Sequence, residues 1–145
     1  MQRQHDTVLG LVAELKKRVT RIVDAPDRAE AYQVTLLQAK LAGILRIHLA
    51  QEDGLLYPAL MACEKGEVAR VAHAFSNEMG QIGAVFTAYS ERWRATEAIL
   101  NAPAAFARES ETLFTALGDR ITRENDQLYP LADSLDEPKM AARVA

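Results

Sequence analysis

His48 and Glu52 stand four residues apart, a spacing that puts both side chains on one face of a helix. Imidazole beside carboxylate is a ligand pair for a divalent metal ion. The pair lies in an eleven-residue phrase, His48-Leu-Ala-Gln-Glu52-Asp-Gly-Leu-Leu56-Tyr57-Pro58, which recurs as Arg120-Ile-Thr-Arg-Glu124-Asn-Asp-Gln-Leu128-Tyr129-Pro130. Glu, Leu, Tyr and Pro keep their offsets, while the leading histidine of the first copy is arginine in the second. A repeat of this kind predicts a metal site shared between two helices, with one half altered.

His5 belongs to the same chemistry. Val8, Leu9 and Val12 follow it at i+3, i+4 and i+7, so it points to the apolar side of its helix. His48 lies between Ile44 and Leu55 on an apolar face, and Glu124 shares an inner line with Leu113, Leu117 and Arg120. Two imidazoles and two carboxylates aimed into one core are costly unless something satisfies them. A divalent ion does so, and this donor mixture suits iron, manganese or zinc. Each residue taken singly also has a plain structural reading. An inward histidine can be a hydrogen-bonded core residue, His5 can sit at a frayed terminus, and Glu52 and Glu124 can pair with Arg120 or reach solvent.

The elements that must position these groups are helices, because apolar residues recur with a helical period and no stretch alternates as a strand would. The first helix is expected from about Gln4 to Asp24, on Val8, Val12, Leu15, Val19 and Ile22, and ends at Ala25-Pro26-Asp27. The second starts near Asp27 or Arg28, carries Leu37, Leu41, Ile44, His48 and Leu55, and stops near Glu64-Lys65-Gly66, continuing past Pro58. A third is expected from about Glu67 to Leu100, with Val68, Ala72, Phe75, Met79, Ile82, Phe86, Tyr89 and Trp93 inward. Asn101-Ala102-Pro103 breaks it, and a fourth covers about Ala104 to Leu135. Long helices with short connections predict an all-α, up-down-up-down four-helix bundle over residues 1–136, with a tail at 137–145.

Bulk properties narrow the function classes. A length of 145 residues suits one domain, and 49% hydrophobic with 26% charged residues is the balance of a globular chain. A net charge of -3 with mixed signs gives no reason to expect nucleic acid or an anionic membrane. No apolar run approaches the roughly 20 residues of a membrane span, and the N-terminal residues lack the apolar stretch of a signal peptide. The single cysteine, Cys63, reads as a small core residue and suits a reducing cytoplasm.

With these residues in place, the pattern resembles the hemerythrin-like, HHE cation-binding family. Its members have a histidine early in helix one, a His-xxx-Glu…Leu-(Phe/Tyr)-Pro phrase on helix two, Glu-His on helix three and a second such phrase on helix four. The resemblance runs from His5 to Pro130. It implies a four-helix bundle whose ligands hold two irons bridged by two glutamates, with His5 and His48 on one metal and Glu52 and Glu124 contacting it. Ferritin-like di-iron bundles need Glu-x-x-His pairs, and none occurs.

The second metal of that family takes histidines from helices three and four. Here Met79, within Asn77-Glu78-Met79-Gly80, and Arg120 stand at those positions. His73 lies six residues before Met79, about 120° away around a helix, so it is expected at a bundle edge. Met79 is expected to pack, Glu78 to lie at an exposed position rather than supply another carboxylate, and Tyr57 and Tyr129 to pack near helix ends, with hydrogen bonding near the site as their alternative. The loss of both histidines of one metal predicts a mononuclear site, iron first, with the Arg120 guanidinium replacing the second ion. The function expected is small-molecule or metal sensing or storage, with dioxygen or nitric oxide as ligand and a homo-oligomer as one assembly. The alternative is a metal-free bundle acting as a structural or protein-interaction module. An enzyme ranks last, since no further nucleophile or acid–base group defines a reaction.

Overall fold

The computed structural model describes residues 2–63 and 66–133, and among these every regular element is helical. In chain order they are α1 (Gln2–Asp24), α2 (Arg28–Gln51), a π-helical turn (Glu52–Leu56), α3 (Tyr57–Met61), α4 (Gly66–Arg92), α5 (Thr96–Asn101), α6 (Pro103–Arg123) and a second π-helical turn (Glu124–Leu128). Helical backbone continues over 129–133. Within the described residues no helix is long and apolar enough to cross a membrane.

Local chemistry accounts for the boundaries. Asp27 takes an extended conformation and accepts a hydrogen bond from the Glu30 amide (3.0 Å), which caps α2. Pro103 opens α6, where a missing N–H costs nothing. The two π turns have a common cause. Each ends immediately before a Tyr-Pro pair, and a proline ring in an α-helix would collide with the carbonyl four residues back. Widening the preceding turn lets the Tyr57 amide bond to the Glu52 carbonyl, and the Tyr129 amide to that of Glu124, each five residues back. Helical winding therefore continues through both prolines.

Two sequence expectations need correction. Leu55 is 70% exposed, not inward, because the extra residue in the π turn gives the inner position to Tyr57. Helix three ends at Arg92 rather than near Leu100, and Ala95 is extended before α5 begins. Trp93 holds this break: its indole N–H donates to Glu109 on α6 (2.6 Å), and the chain then folds α5 against α2 with Ile99 buried. The expected closing of helix two at Glu64 and Lys65, the end of helix four at Leu135, and the 136/137 boundary fall outside the described residues.

α1 packs on α2 and α6, and α4 packs on α6 and α2. The expected stripes fill the core: Val8, Val12, Leu15, Val19 and Ile22 of α1 are buried with Phe86, Tyr89, Phe106, Phe114 and Leu117. A smaller cluster of Tyr57, Leu60, Val68, Ala72, Phe75, Leu128 and Tyr129 fills the other end. His48 and Glu52 fall between Leu45 and Tyr57, Glu124 falls between Ile121 and Leu128, and His5 and Arg120 are buried with them. The bundle thus has a polar layer separating two apolar cores.

A second buried polar group is neutral and self-contained. Gln38 donates to the Tyr89 hydroxyl (2.8 Å), which shares a 2.5 Å hydrogen bond with Ser110. Tyr89→Phe would leave both partners unpaired, so we expect a loss of about 1–3 kcal/mol in urea denaturation. A loss indistinguishable from zero would mean that water replaces the hydroxyl.

Candidate metal centre

Each side of the polar layer has its own supplier. α1 contributes His5 from its first turn, α2 contributes His48 near its end, and the two π turns begin at Glu52 and Glu124. One ligating atom from each of these four residues lies within 4.8 Å of every other. The Nε2 atoms of His5 and His48 are 2.7 Å apart. Glu124 Oε2 lies 3.2 Å from the first and 3.7 Å from the second. Glu52 Oε1 is 4.0 Å from His5 Nε2 and in close contact with His48 Nε2.

The far side of each imidazole is already engaged. His5 Nδ1 is 2.7 Å from the Asn125 side-chain oxygen, and His48 Nδ1 is 2.9 Å from that of Gln4. An amide oxygen only accepts, so both Nδ1 atoms carry the proton, and in the neutral rings both Nε2 lone pairs face the cluster. Two lone pairs at 2.7 Å repel unless something positive lies between them. With both rings neutral in this way, both Glu52 carboxylate oxygens and Glu124 Oε2 are buried without a hydrogen-bond donor. A proton can join two of these atoms, whereas a cation can be shared by all four. The residues therefore fit a divalent metal ion, with a nitrogen and oxygen donor set suited to iron, manganese or zinc.

Without a metal ion, protons take up part of this demand. Burial alone lowers the His5 pKa, but hydrogen bonding to Glu124, Glu52 and Asn125 outweighs it and carries the value up to about 9. His48 is raised in the same way, against burial, by Glu124 and Glu52. Burial opposes the charge on Glu52, yet His48 and His5 pull its pKa down to about 2. Burial and the neighbouring glutamates push both Tyr57 and Tyr129 upward, so each keeps its hydroxyl proton. Tyr57 donates it to Glu124 Oε1 (3.1 Å), and the Tyr129 hydroxyl lies 2.9 Å from His5 Nε2.

The other half of the family's ligand pattern is built differently. Met79 is buried, as its packing role requires, and His73 is exposed and takes no part in the cluster. Arg120 is buried, with its guanidinium 4.6 Å above the Phe75 ring. Its ion pair is with Glu78 of α4, not with Glu52 or Glu124. Glu78 also meets Arg123 (3.3 Å), so its partly exposed position has a structural task.

Sequence reasoning brought the four central residues together and set Tyr57 and Tyr129 near them, with packing preferred over hydrogen bonding, but it missed Asn125 and Gln4. Tyr57 and Tyr129 lie five residues after Glu52 and Glu124. At about 100° per residue, an α-helix would turn them roughly 140° away from the glutamates. The π turns bring them back, and the only signal was the repeated proline that follows. Asn125 and Gln4 had no readable signal, since each orients a histidine of another helix.

The sequence pattern of the hemerythrin HHE cation binding domain matches residues 1–132, which include the whole polar layer. No curated protein and no solved structure matches the chain. Residues 1–132 cover the larger part of the sequence and every group described above, and the chain belongs to the hemerythrin HHE cation-binding family.

Proposed function

We propose that this chain is a metal-binding hemerythrin-like protein with a degenerate di-iron site, its helices arranged as an up-down-up-down four-helix bundle. One ion, iron by preference, is held by His5, His48, Glu52 and Glu124. The observation that carries this reading is the pair of inward lone pairs, His5 Nε2 and His48 Nε2, beside three buried carboxylate oxygens without donors. Asn125 and Gln4 fix the two rings, while Tyr57 and Tyr129 orient Glu124 and His5. A bound iron ion supplies open coordination positions for a small molecule such as dioxygen or nitric oxide. The role is sensing or storage, since four protein ligands and one ion do not reproduce a two-iron oxygen carrier.

A groove of about 600 Å³ lies between α2 and α4, and none of the four clustered residues lines it. Its wall includes Leu45 and Leu49, flanking His48, with Leu117 one turn before Arg120 and Met79 beside them. The competing reading is a metal-free structural or interaction module, and the observation favouring it is the Arg120–Glu78 pair in the second-metal half.

Metal analysis of protein purified without chelator separates the two. We expect close to one ion per chain, abolished in His48→Ala, whereas less than about a tenth of an ion in the unaltered protein would exclude the first reading. The double change Met79→His with Arg120→His is expected to raise the content above one, and an unchanged value would show that the second half cannot be rebuilt by ligands alone.

Thermal stability against pH gives an independent check. The folded His5 pKa of about 9 exceeds the ordinary 6.5, so in metal-free protein its contribution is complete below 6.5 and is lost as pH rises through 9. Glu52 acts in the other direction: its contribution is present above 4.5 and is lost as pH falls towards 2. Metal-free protein should therefore lose stability between pH 6.5 and 9. A bound metal competes with these protons, so the melting-temperature gap between loaded and metal-free protein should widen over that range. A constant gap would mean that the metal binds elsewhere.

A further inference from the structure

Among the described residues, Arg120 is the one buried charged residue outside the four-residue cluster. Its side chain is 4% exposed, its face covers Phe75, and one terminal nitrogen meets Glu78. Yet its Nε and its other terminal nitrogen, NH1, are buried with no acceptor. A cationic donor left in this state calls for an acceptor, because hydrogen bonds to charged groups are the strong ones.

The surroundings define which acceptor. Arg120 lies one turn before Glu124 on the same helix face, a spacing that puts neighbouring β-carbons about 5–6 Å apart. Burial and the Arg123 charge lower its pKa, while Glu124, Tyr57 and Glu52 act in the opposite direction. Those carboxylates form no ion pair with it, and their free oxygens converge on the histidines instead. Charge reinforces the point. Two neutral histidines, two carboxylates and a divalent ion sum to zero, and Arg120 with Glu78 also sums to zero. Arg123, 3.3 Å from Glu78, then leaves one positive charge in excess. Glu78 and Arg123, with side chains 43% and 49% exposed, stand between Arg120 and solvent on this side.

We infer that Arg120 is an anion-holding residue: a small monovalent oxyanion of the carboxylate or nitrite type binds beside the metal held by His5, His48, Glu52 and Glu124, accepting hydrogen bonds from Arg120 Nε and NH1. This rests on the metal-binding reading above and adds to it a charged ligand class. The arginine is then a substitute for the lost metal in function as well as in charge. It would supply a fixed positive group, Nε and NH1, to hold the anion.

Formate is a suitable probe, being small, monovalent and inert to redox change. The protein is loaded with cobalt(II), the metal content is measured, and formate is titrated while the visible absorption of the cobalt is followed. Chloride at matched ionic strength serves as the screening control. Saturable perturbation by formate is expected, with affinity at least about tenfold weaker in Arg120→Met and intermediate in Arg120→Lys, at unchanged cobalt content. No perturbation in the unaltered protein at full cobalt occupancy overturns the inference, whether or not the variants fold. Equal formate affinity in Arg120→Met also overturns it, and means that solvent alone satisfies the guanidinium. Failure to take up cobalt or iron at all sinks the metal-binding reading and this inference together, and the metal analysis separates that outcome from the other two.

Discussion

Everything in this bundle is arranged around the desolvation of two carboxylates and two imidazoles in one buried layer. Such groups have a high cost in an apolar interior unless each lone pair is used. Side chains from α1, α2, α3, both π turns and the following Tyr129 meet that requirement. Asn125 and Gln4 turn the imidazoles, Tyr57 and Tyr129 reach Glu124 and His5, and what remains unmet converges on one point. The apolar cores on either side keep water from relieving the demand. The layer is therefore stable only with protons or a cation in it, which makes its occupancy and the fold a single thermodynamic problem.

Proline is the device that makes this geometry possible. In an α-helix Glu52 and Tyr57 would face different ways, as would Glu124 and Tyr129. The prolines that follow each tyrosine force a wider turn, and the wider turn brings glutamate and tyrosine onto the same inner face. A residue usually regarded as a helix breaker here sets the register of the ligands. The repeated phrase is thus a structural instruction as much as a list of ligands, and it survives in the second copy although its histidine does not.

The two halves of the layer show different solutions to the same electrostatic problem. One half gathers donors around a point; the other places a guanidinium over an aromatic ring and pairs it with a glutamate at the bundle surface. Buried ion pairs contribute little net stability. The Arg120–Glu78 pair is accordingly better understood as fixing a positive charge in place than as strengthening the fold.

The sequence by itself determined the helical class, the core stripes and the four residues of the cluster, because each depends on periods of three to four residues that a single helix displays. His5, His48, Glu52 and Glu124 were legible in this way, and so were the burial of Met79 and the exposure of His73. Only the tertiary structure decided the rest. The end of α4 at Arg92 depends on Trp93 finding Glu109 on another helix, and the exposure of Leu55 depends on a π turn that periodicity does not reveal. The partner of Arg120 was decided there too: its own helix offers Glu124 one turn away, but the packing of α4 against α6 presents Glu78 instead. Spacing along a helix fixes which face a charge occupies, and only the neighbouring helix fixes what that charge meets.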